Sequence, residues 1–285
     1  MTAEDLMIPG LAGRLAVRIK RSAAPPRGTV VLVQGANLTG QLGYDLQVEG
    51  HCDYSFLDAL VAGGYIAVTF SIRGYGRSEL EGDPHSVQTD AAIEDLATVI
   101  DWLADQGMSR PHLIGWSWGG RIAGRYVEQA ADRVDRLVLL DPALGGGQRI
   151  PFPGREKWWL NTYTYFHDRL EPEFMPEEVR VAVATQASVT ELEAPNGIRV
   201  ENEIGSVPVR AEGISRPTLM LYGEAAGAQA YMHGAADRGQ FLECIANPDK
   251  ALVIVPGGGD YAHIQNPRRL IHRIVIDFLG WGEAA

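Results

Sequence analysis

The sequence predicts an α/β protein built on a mostly parallel sheet, and three observations lead to that prediction. Short, almost wholly apolar runs recur along the 285 residues, and stretches with helical spacing separate them. Runs without polar alternation suit strands buried on both faces, as in a parallel sheet covered by helices. One long interval, 144–213, breaks the rhythm. Alternating strands and helices favour a parallel sheet with right-handed crossovers.

The elements follow one another in a regular order. An alternating stretch at 15–20 precedes the buried strands, which are predicted at 29–33, 65–70, 112–114, 136–140, 218–221 and 251–255. Helices are indicated after a cap at Asp90, over 121–130, and after Asn266 with Pro267 at the first helical position. The sequence thus predicts a core at 1–143 and 214–285 with a helical insertion at 144–213, since structureless loops of that length are uncommon.

Composition excludes several classes of protein. Hydrophobic residues make up 46% and charged residues 21% of the chain, which is ordinary for a soluble domain. The net charge of -11 opposes binding to nucleic acid and to anionic membranes, so a small apolar or aromatic molecule is the expected partner. No apolar run is long enough to span a membrane, and the first ten residues resemble no export signal. We therefore expect a cytoplasmic protein; its oligomeric state stays open, with a homo-oligomer as one option.

The two cysteines, Cys52 and Cys244, are far apart and lack metal-ligand spacing. The histidines also show no pairing pattern typical of a metal site. We expect neither a disulfide framework nor a metal, and no cofactor is required by the chemistry inferred below.

The strongest motif surrounds Ser117, in the run Gly-Trp-Ser-Trp-Gly-Gly between a predicted strand and a predicted helix. A serine at such a sharp turn has a strained backbone, so the residues two before and two after it must be small. Gly115 and Gly119 meet that demand. The hydroxyl would lie at the positive end of the following helix, where a developing anion is stabilised. The motif predicts a nucleophilic serine; the alternative is a glycine-rich turn with an incidental serine.

Three motifs together resemble those of the α/β-hydrolase family, of the lid-bearing serine hydrolase type. They are the turn at Ser117, the pair Gln34-Gly35 after the first buried strand, and the stretch from Arg73 to Ser78, which resembles the family's Asp-x-Arg-Gly-x-Gly-x-Ser turn. The resemblance implies an oxyanion hole formed by the N–H groups of Ala36 and Trp118. Gln34 stands where the family usually has histidine, which indicates a divergent member.

The family usually supplies its general base from a histidine after the last strand, but that position holds Asp260 here. His263 follows three residues later, in an Asp-Tyr-x-His arrangement that resembles the histidine segment of acid lipases. Imidazole accepts a serine proton near neutral pH far better than an ordinary aspartate does. We therefore expect His263 to be the base, the alternative being a loop histidine bound to backbone groups.

The expected position of the acid, after the penultimate strand, holds alanine. Some relatives, haloalkane dehalogenases among them, carry the acid after the strand that follows the nucleophile helix, and Asp141 matches that place. The resemblance therefore implies a Ser117, Asp141, His263 triad, with Glu224 or Asp260 as alternative acids. Halide release is not expected, because that chemistry uses an aspartate nucleophile.

Trp116, which precedes the serine, and Trp158 and Trp159 in the insertion predict an apolar or aromatic substrate pocket. The alternative is that the insertion's aromatic residues form its own core. The sequence favours a hydrolase acting on an ester, lactone or related acyl bond. Two other hypotheses stay open: a lyase, cyclase or cofactor-free oxygenase on the same fold, and a non-catalytic ligand-binding protein.

Overall fold

An eight-stranded sheet forms the centre of the structure, a computed structural model that describes residues 3–146, 149–227 and 238–282. Its order is β1-β2-β4-β3-β5-β6-β9-β10, and β7 pairs with β8 in a separate ribbon. The strands are β1 (Ala3–Ile8), β2 (Leu15–Lys20), β3 (Gly28–Val33), β4 (Tyr65–Phe70), β5 (His112–Trp116), β6 (Leu137–Leu140), β7 (Trp158–Leu160), β8 (Glu193–Pro195), β9 (Thr218–Gly223) and β10 (Lys250–Val255). Only the pairings of β2 with β1 and β4 are antiparallel in this sheet, which confirms the predicted α/β class.

Helices cover both faces of the sheet. They are α1 (Gly40–Tyr44), α2 (Phe56–Ala62), α3 (Thr89–Asp105), α4 (Trp118–Ala130), α5 (Tyr163–Arg169), α6 (Glu177–Thr190), α7 (Gly197–Ile204), α8 (Arg238–Cys244) and α9 (Arg268–Leu279). Short 3-10 turns lie at Pro84–Ser86, Ala131–Arg133, Ala211–Gly213 and Ala262–Ile264. No helix in the described ranges is both long and apolar enough to cross a membrane.

Strand β3 shows why an unbroken apolar run marks a central strand. Val31 and Val33 pack into the core on the side of α3 and α4, whereas Val30 and Leu32 pack into the core on the side of α2 and α9. All four side chains are fully buried. Because each contributes about 1.5–3 kcal/mol when removed from water, a polar residue at any of them would be costly.

The structure corrects the two expected helix caps and adds one strand that the sequence analysis did not predict. Strand β1 has no apolar run that would predict it from the sequence. It lies at the sheet edge, where Glu4 and Asp5 are exposed to solvent. Helix α3 begins at Thr89, so Asp90 lies in its first turn and does not cap it. Helix α9 begins at Arg268, with Pro267 as its capping residue in place of Asn266.

The interval 144–213, which the sequence predicts to be an insertion, contains α5, α6 and α7 as well as the ribbon of β7 and β8. The ribbon has no clear sequence signal, because each strand has only three residues and β7 is half-exposed. Phe166 and Val183 of the insertion join the core beneath α2 and α9, while Ile198 joins the opposite core. The insertion is thus anchored to both layers of the domain.

The strand order places a crevice at one point of the sheet edge. After β3 the chain forms β4 on one side of that strand and then β5 on the other. In parallel sheets, ligands bind outside the carboxyl ends of the strands at such a reversal. Ala36 follows β3 and Ser117 follows β5, so both lie at this point.

Candidate active site

Ser117 occupies a strained turn between β5 and α4, with φ 52° and ψ -116°. Two glycines make that turn possible. A Cβ at Gly115 would lie 2.3 Å from the carbonyl oxygen of Gly119, and a Cβ at Gly119 would lie 2.1 Å from that of Val33. The turn is fixed further by the Ser117 N–H, which donates to the carbonyl of Leu140 at 3.0 Å. Strained backbone held in this way is typical of a functional position.

The turn opens into a cavity of about 620 Å³. Ser117 lines it together with Ala36 and Trp118, the two residues expected to form the oxyanion hole. Trp118 is the first residue of α4, so its N–H belongs to the positive end of that helix. The oxyanion hole remains a prediction that this arrangement supports.

Two carboxyl groups, Asp141 and Asp260, line the same cavity. Asp141 follows β6 and also has a positive φ, 38°; its Oδ1 accepts a hydrogen bond from the Gly223 N–H at 3.0 Å. Asp260 lies on the loop after β10, and its Oδ1 accepts from the Gly227 N–H at 2.9 Å. The cavity therefore holds a serine hydroxyl and two carboxyl groups.

Burial raises the pKa of Asp141 well above the ordinary value, and the neighbouring charge of Asp260 raises it further. The Gly223 N–H opposes this rise by stabilising the charged form, as does the nearby guanidinium of Arg238. On balance the buried position favours the neutral, protonated form of Asp141.

His263 does not take the place expected of a general base. It is absent from the lining of the cavity, and its Nε2–H donates to the carbonyl of Gly43 at 3.1 Å. Its Nδ1 is buried without a hydrogen-bond partner, so neither ring nitrogen is bonded to Ser117 or Asp141. The ring packs on Tyr44 and on Trp116, with centroids 5.5 and 4.8 Å away.

Desolvation lowers the pKa of His263 to about 3, and the neighbouring His272 adds to that lowering. The ring is therefore neutral and locked in the Nε2–H tautomer by Gly43. This corrects the expectation from sequence: the triad of Ser117, Asp141 and His263 is not assembled, because the loop after β10 turns His263 into the core and leaves Asp260 at the cavity.

Two other predicted residues also lie elsewhere. Glu224 is exposed and its Oε1 accepts from the Gly257 N–H at 2.9 Å, outside the cavity lining. Trp158 lines a separate shallow groove beside Glu191. Gln34, which replaces the family histidine, is buried, and its Oε1 accepts from the Ile72 N–H at 3.1 Å.

Trp116 and Trp159 do line the cavity, as the sequence suggests. Tyr165, one of the insertion's aromatic residues, also lines it, and so do Arg169 and Arg199, which no sequence pattern singled out. A single arginine on an amphipathic helix is ordinarily a solvated residue, so no sequence signal marks these positions. Only the packing of the insertion against the core brings them to Ser117.

Within the described parts of the chain, no three His, Cys, Asp or Glu side chains cluster as a metal site would require. His233 lies outside the described residues.

Comparison with known proteins agrees with this architecture. The sequence profile described as "Alpha/beta hydrolase family" matches residues 30–274. N-formylmaleamate deformylase of Pseudomonas putida is 34% identical over 91 residues, covering 32% of each chain. Epoxide hydrolase 3 of Xenopus tropicalis is 24% identical over 246 residues, covering 76% of this chain and 64% of its own. The alignments thus span from about a third to two thirds of these relatives.

Among solved structures, the enol-lactonase from Burkholderia xenovorans LB400 superposes with a TM-score of 0.69 at 19% identity, covering 96% of this chain and 99% of its own. At that identity the likeness shows the fold alone. The curated relatives named above are hydrolases. With a profile match over most of its length and the strand order described above, the chain belongs to the alpha/beta hydrolase family.

Proposed function

We propose that the protein is a serine hydrolase that cleaves a carboxylic ester, lactone or related acyl bond of a small molecule. The observation that carries the proposal is the position of Ser117, on a strained turn that faces a cavity shared with two carboxyl groups. A nucleophile at a helix N-terminus, next to two backbone N–H groups, suits attack on a carbonyl carbon.

In the proposed reaction Ser117 Oγ attacks the acyl carbon while the Asp260 carboxylate accepts the hydroxyl proton. The N–H groups of Ala36 and Trp118 stabilise the oxyanion. The bond to the leaving group then breaks, and the leaving group takes the proton from Asp260. Water next attacks the acyl-enzyme with the same proton transfers, which releases the acid and restores Ser117.

The hydrogen bonds around Asp260 support this role. One carboxylate oxygen is held by the Gly227 N–H, while the structure gives Oδ2 no donor among the described residues. Burial raises the pKa of Asp141, which favours its neutral form and avoids a second negative charge in the cavity beside Asp260.

The nature of the base also restricts the substrate. A carboxylate is a weaker proton acceptor than imidazole, so it is effective only when the leaving group departs easily. We therefore propose activated acyl compounds, such as aryl or enol esters, thioesters and strained lactones, as the substrate class.

The test combines active-site labelling with turnover of an aryl ester. We expect a fluorophosphonate to form one adduct, on Ser117, and Ser117→Ala to lose both the adduct and turnover. Asp260→Asn should lower kcat/KM by about 10²–10⁴-fold, the usual contribution of a general base. Glu224→Gln, a change at an exposed acid outside the cavity, is the matched control and should keep full activity. Undiminished turnover in a folded Ser117→Ala variant would contradict the proposal.

A second candidate function is a non-hydrolytic lyase, cyclase or cofactor-free oxygenase reaction. It is favoured by one observation: no imidazole lines the cavity among the described residues. Two carboxyl groups, of which Asp141 is favoured in its protonated form by burial, can move a proton directly on a bound molecule without an acyl-enzyme. Retained product formation in Ser117→Ala, lost in Asp260→Asn, would favour this function over hydrolysis.

A further inference from the structure

Arg199, on α7, presents a cationic group to the cavity. Its Nη1–H donates to Asn196 Oδ1 at 2.7 Å and its Nη2–H to Asn37 Oδ1 at 3.1 Å. Its Cζ lies 3.9 Å from the centroid of the Trp159 ring. These neutral acceptors and the aromatic face orient the guanidinium, but none of them neutralises its charge.

Arg169, at the end of α5, lines the same cavity. Its Nε–H donates to the hydroxyl of Tyr261 at 3.1 Å. Its Cζ lies 5.9 Å from the ring centroid of Tyr165 and 6.0 Å from that of Tyr261. Asn37, which accepts a hydrogen bond from Arg199, also donates through its amide to the Tyr165 hydroxyl at 2.7 Å. Because Arg169 lies beside the Tyr165 ring, Asn37 connects the surroundings of the two arginines.

Neither Arg199 nor Arg169 has a carboxylate within ion-pair distance among the described residues. Arg121, a third arginine of the cavity, differs: its Nη1 lies 3.1 Å from Glu201 Oε1. Burial lowers the pKa of Arg199, and the charge of Arg169 adds to that lowering, so the two cations lie close enough to repel each other. Placing two cations without an ion-pair partner side by side in a partly buried site is costly for the empty protein. The charge of Asp260 also acts on Arg169, from beyond ion-pair distance, and offsets part of that cost.

We propose that the cavity is built for substrates that carry a carboxylate or a similar anionic group, which Arg199 and Arg169 bind while the scissile acyl carbon lies at Ser117. The inference rests on the proposed function for the position of the reacting bond.

The remaining features of the cavity agree with such a substrate. Trp116, Trp159 and Tyr165 offer apolar walls for its body, and a volume of about 620 Å³ suits a small molecule. The chain carries a net charge of -11, so its overall field disfavours anions. Selectivity for an anion must then come from local hydrogen bonds, and guanidinium groups bind carboxylates through paired N–H donors.

The test compares two aryl esters that differ only at the far end of the acyl chain. 4-Nitrophenyl hydrogen glutarate ends in a carboxylate, and 4-nitrophenyl valerate ends in a methyl group. We expect the wild-type protein to hydrolyse the glutarate ester with the higher kcat/KM. Arg199→Gln should lower the ratio of the two kcat/KM values by about 10- to 100-fold, as expected for losing a charge-assisted hydrogen bond.

Arg169→Gln should lower the same ratio, and it carries the test if Arg199→Gln does not fold. Arg133→Gln, a change at a surface arginine paired with Asp101, is the matched control and should keep the wild-type ratio. Equal rates on both esters in the wild-type protein, or an equal loss on both esters in the Arg199→Gln and Arg169→Gln variants, would overturn the inference and leave the arginines a structural role only.

A binding measurement separates this inference from the proposed hydrolysis. The stable 4-nitroanilides of glutaric acid and of valeric acid are titrated into Ser117→Ala by calorimetry. Tighter binding of the glutaric compound, lost in the Ser117→Ala, Arg199→Gln double variant, supports the anionic subsite even if Ser117 proves not to be the nucleophile. Binding without preference overturns it even if Ser117 is acylated.

Discussion

The indole N–H of Trp116 donates to the backbone carbonyl of Asp260 at 2.7 Å. Trp116 is the residue before Ser117, so this bond ties the loop after β10 to the turn that carries the proposed nucleophile. The same indole ring also packs against His263, with ring centroids 4.8 Å apart. One side chain therefore holds the aspartate at the cavity and packs the histidine in the core.

Replacing this tryptophan should misplace Asp260. Trp116→Phe keeps an aromatic ring but removes the N–H donor. Because one such hydrogen bond contributes about 1 kcal/mol, we expect kcat/KM for an aryl ester to fall about fivefold or more. Steady-state kinetics combined with thermal unfolding checks this. An unchanged kcat/KM with a lowered Tm would mean that the bond stabilises the fold without positioning the aspartate.

The wall formed by Trp159 should set preference for the size of the substrate. Trp159→Ala enlarges the cavity and also removes the ring beneath Arg199. We expect the ratio of kcat/KM for short and bulky aryl esters to change by about 10- to 200-fold, which corresponds to about 1–3 kcal/mol. Rates that change by one common factor across the ester series, with a lower Tm, would instead indicate that the ring belongs to the core of the insertion.

Glu191 should make stability depend on pH. It follows α6 and accepts a hydrogen bond from the Thr39 N–H at 2.7 Å, and burial raises its pKa to about 7. Between pH 4.5 and 7 the folded protein then binds more protons than the unfolded chain. Stability should therefore fall as the pH rises through this window, by about 3 kcal/mol from this group.

Glu191→Gln resembles the protonated form, since an amide can both accept from the Thr39 N–H and donate to its hydroxyl. Denaturant unfolding at several pH values should show that the free energy of unfolding decreases less from pH 4.5 to 7 in the variant than in the wild-type protein. The same decline in both proteins would rule out Glu191 as its source.

His263 and His272 act in the opposite direction. Burial lowers their pKa values to about 3 and about 4, so below pH 6.5 the unfolded chain binds more protons than the folded protein. Stability from these groups is complete above pH 6.5 and is lost as the pH falls toward 3. His263→Gln keeps an N–H donor for the Gly43 carbonyl. In denaturant unfolding, the free energy of unfolding of this variant should decrease less at acid pH than that of the wild-type protein. A loss as steep as in the wild-type protein would contradict the buried neutral state.

The sheet could be predicted from the sequence because its central strands are buried on both faces. Val30 to Val33 carry that signal in full, whereas the edge strand β1 carries none. The turn at Ser117 could be predicted because sterics require Gly115 and Gly119 there. Both features require a particular residue type at each position, and that requirement is visible in the sequence.

The partners of Ser117 depend on long-range packing and were harder to predict. His263 is near the expected position along the chain, yet the 3-10 turn Ala262–Ile264 directs its ring to Gly43, 220 residues earlier in the sequence. Arg199 reaches the cavity only because α7 packs against the core, in which its neighbour Ile198 is buried. No spacing rule connects such positions.

In the proposed reaction a carboxylate, not His263, accepts the proton of Ser117, and the pH dependence of kcat/KM for an aryl ester tests this most directly. If a carboxylate is the base, kcat/KM should fall only below about pH 5.5, where the carboxylate becomes protonated. This fall should occur at the same pH in His263→Gln and in the wild-type protein. Circular dichroism at each pH confirms that the protein stays folded. An acid limb at about pH 6–7 that disappears in His263→Gln, or in His233→Ala, would contradict the account and show that an imidazole is the base.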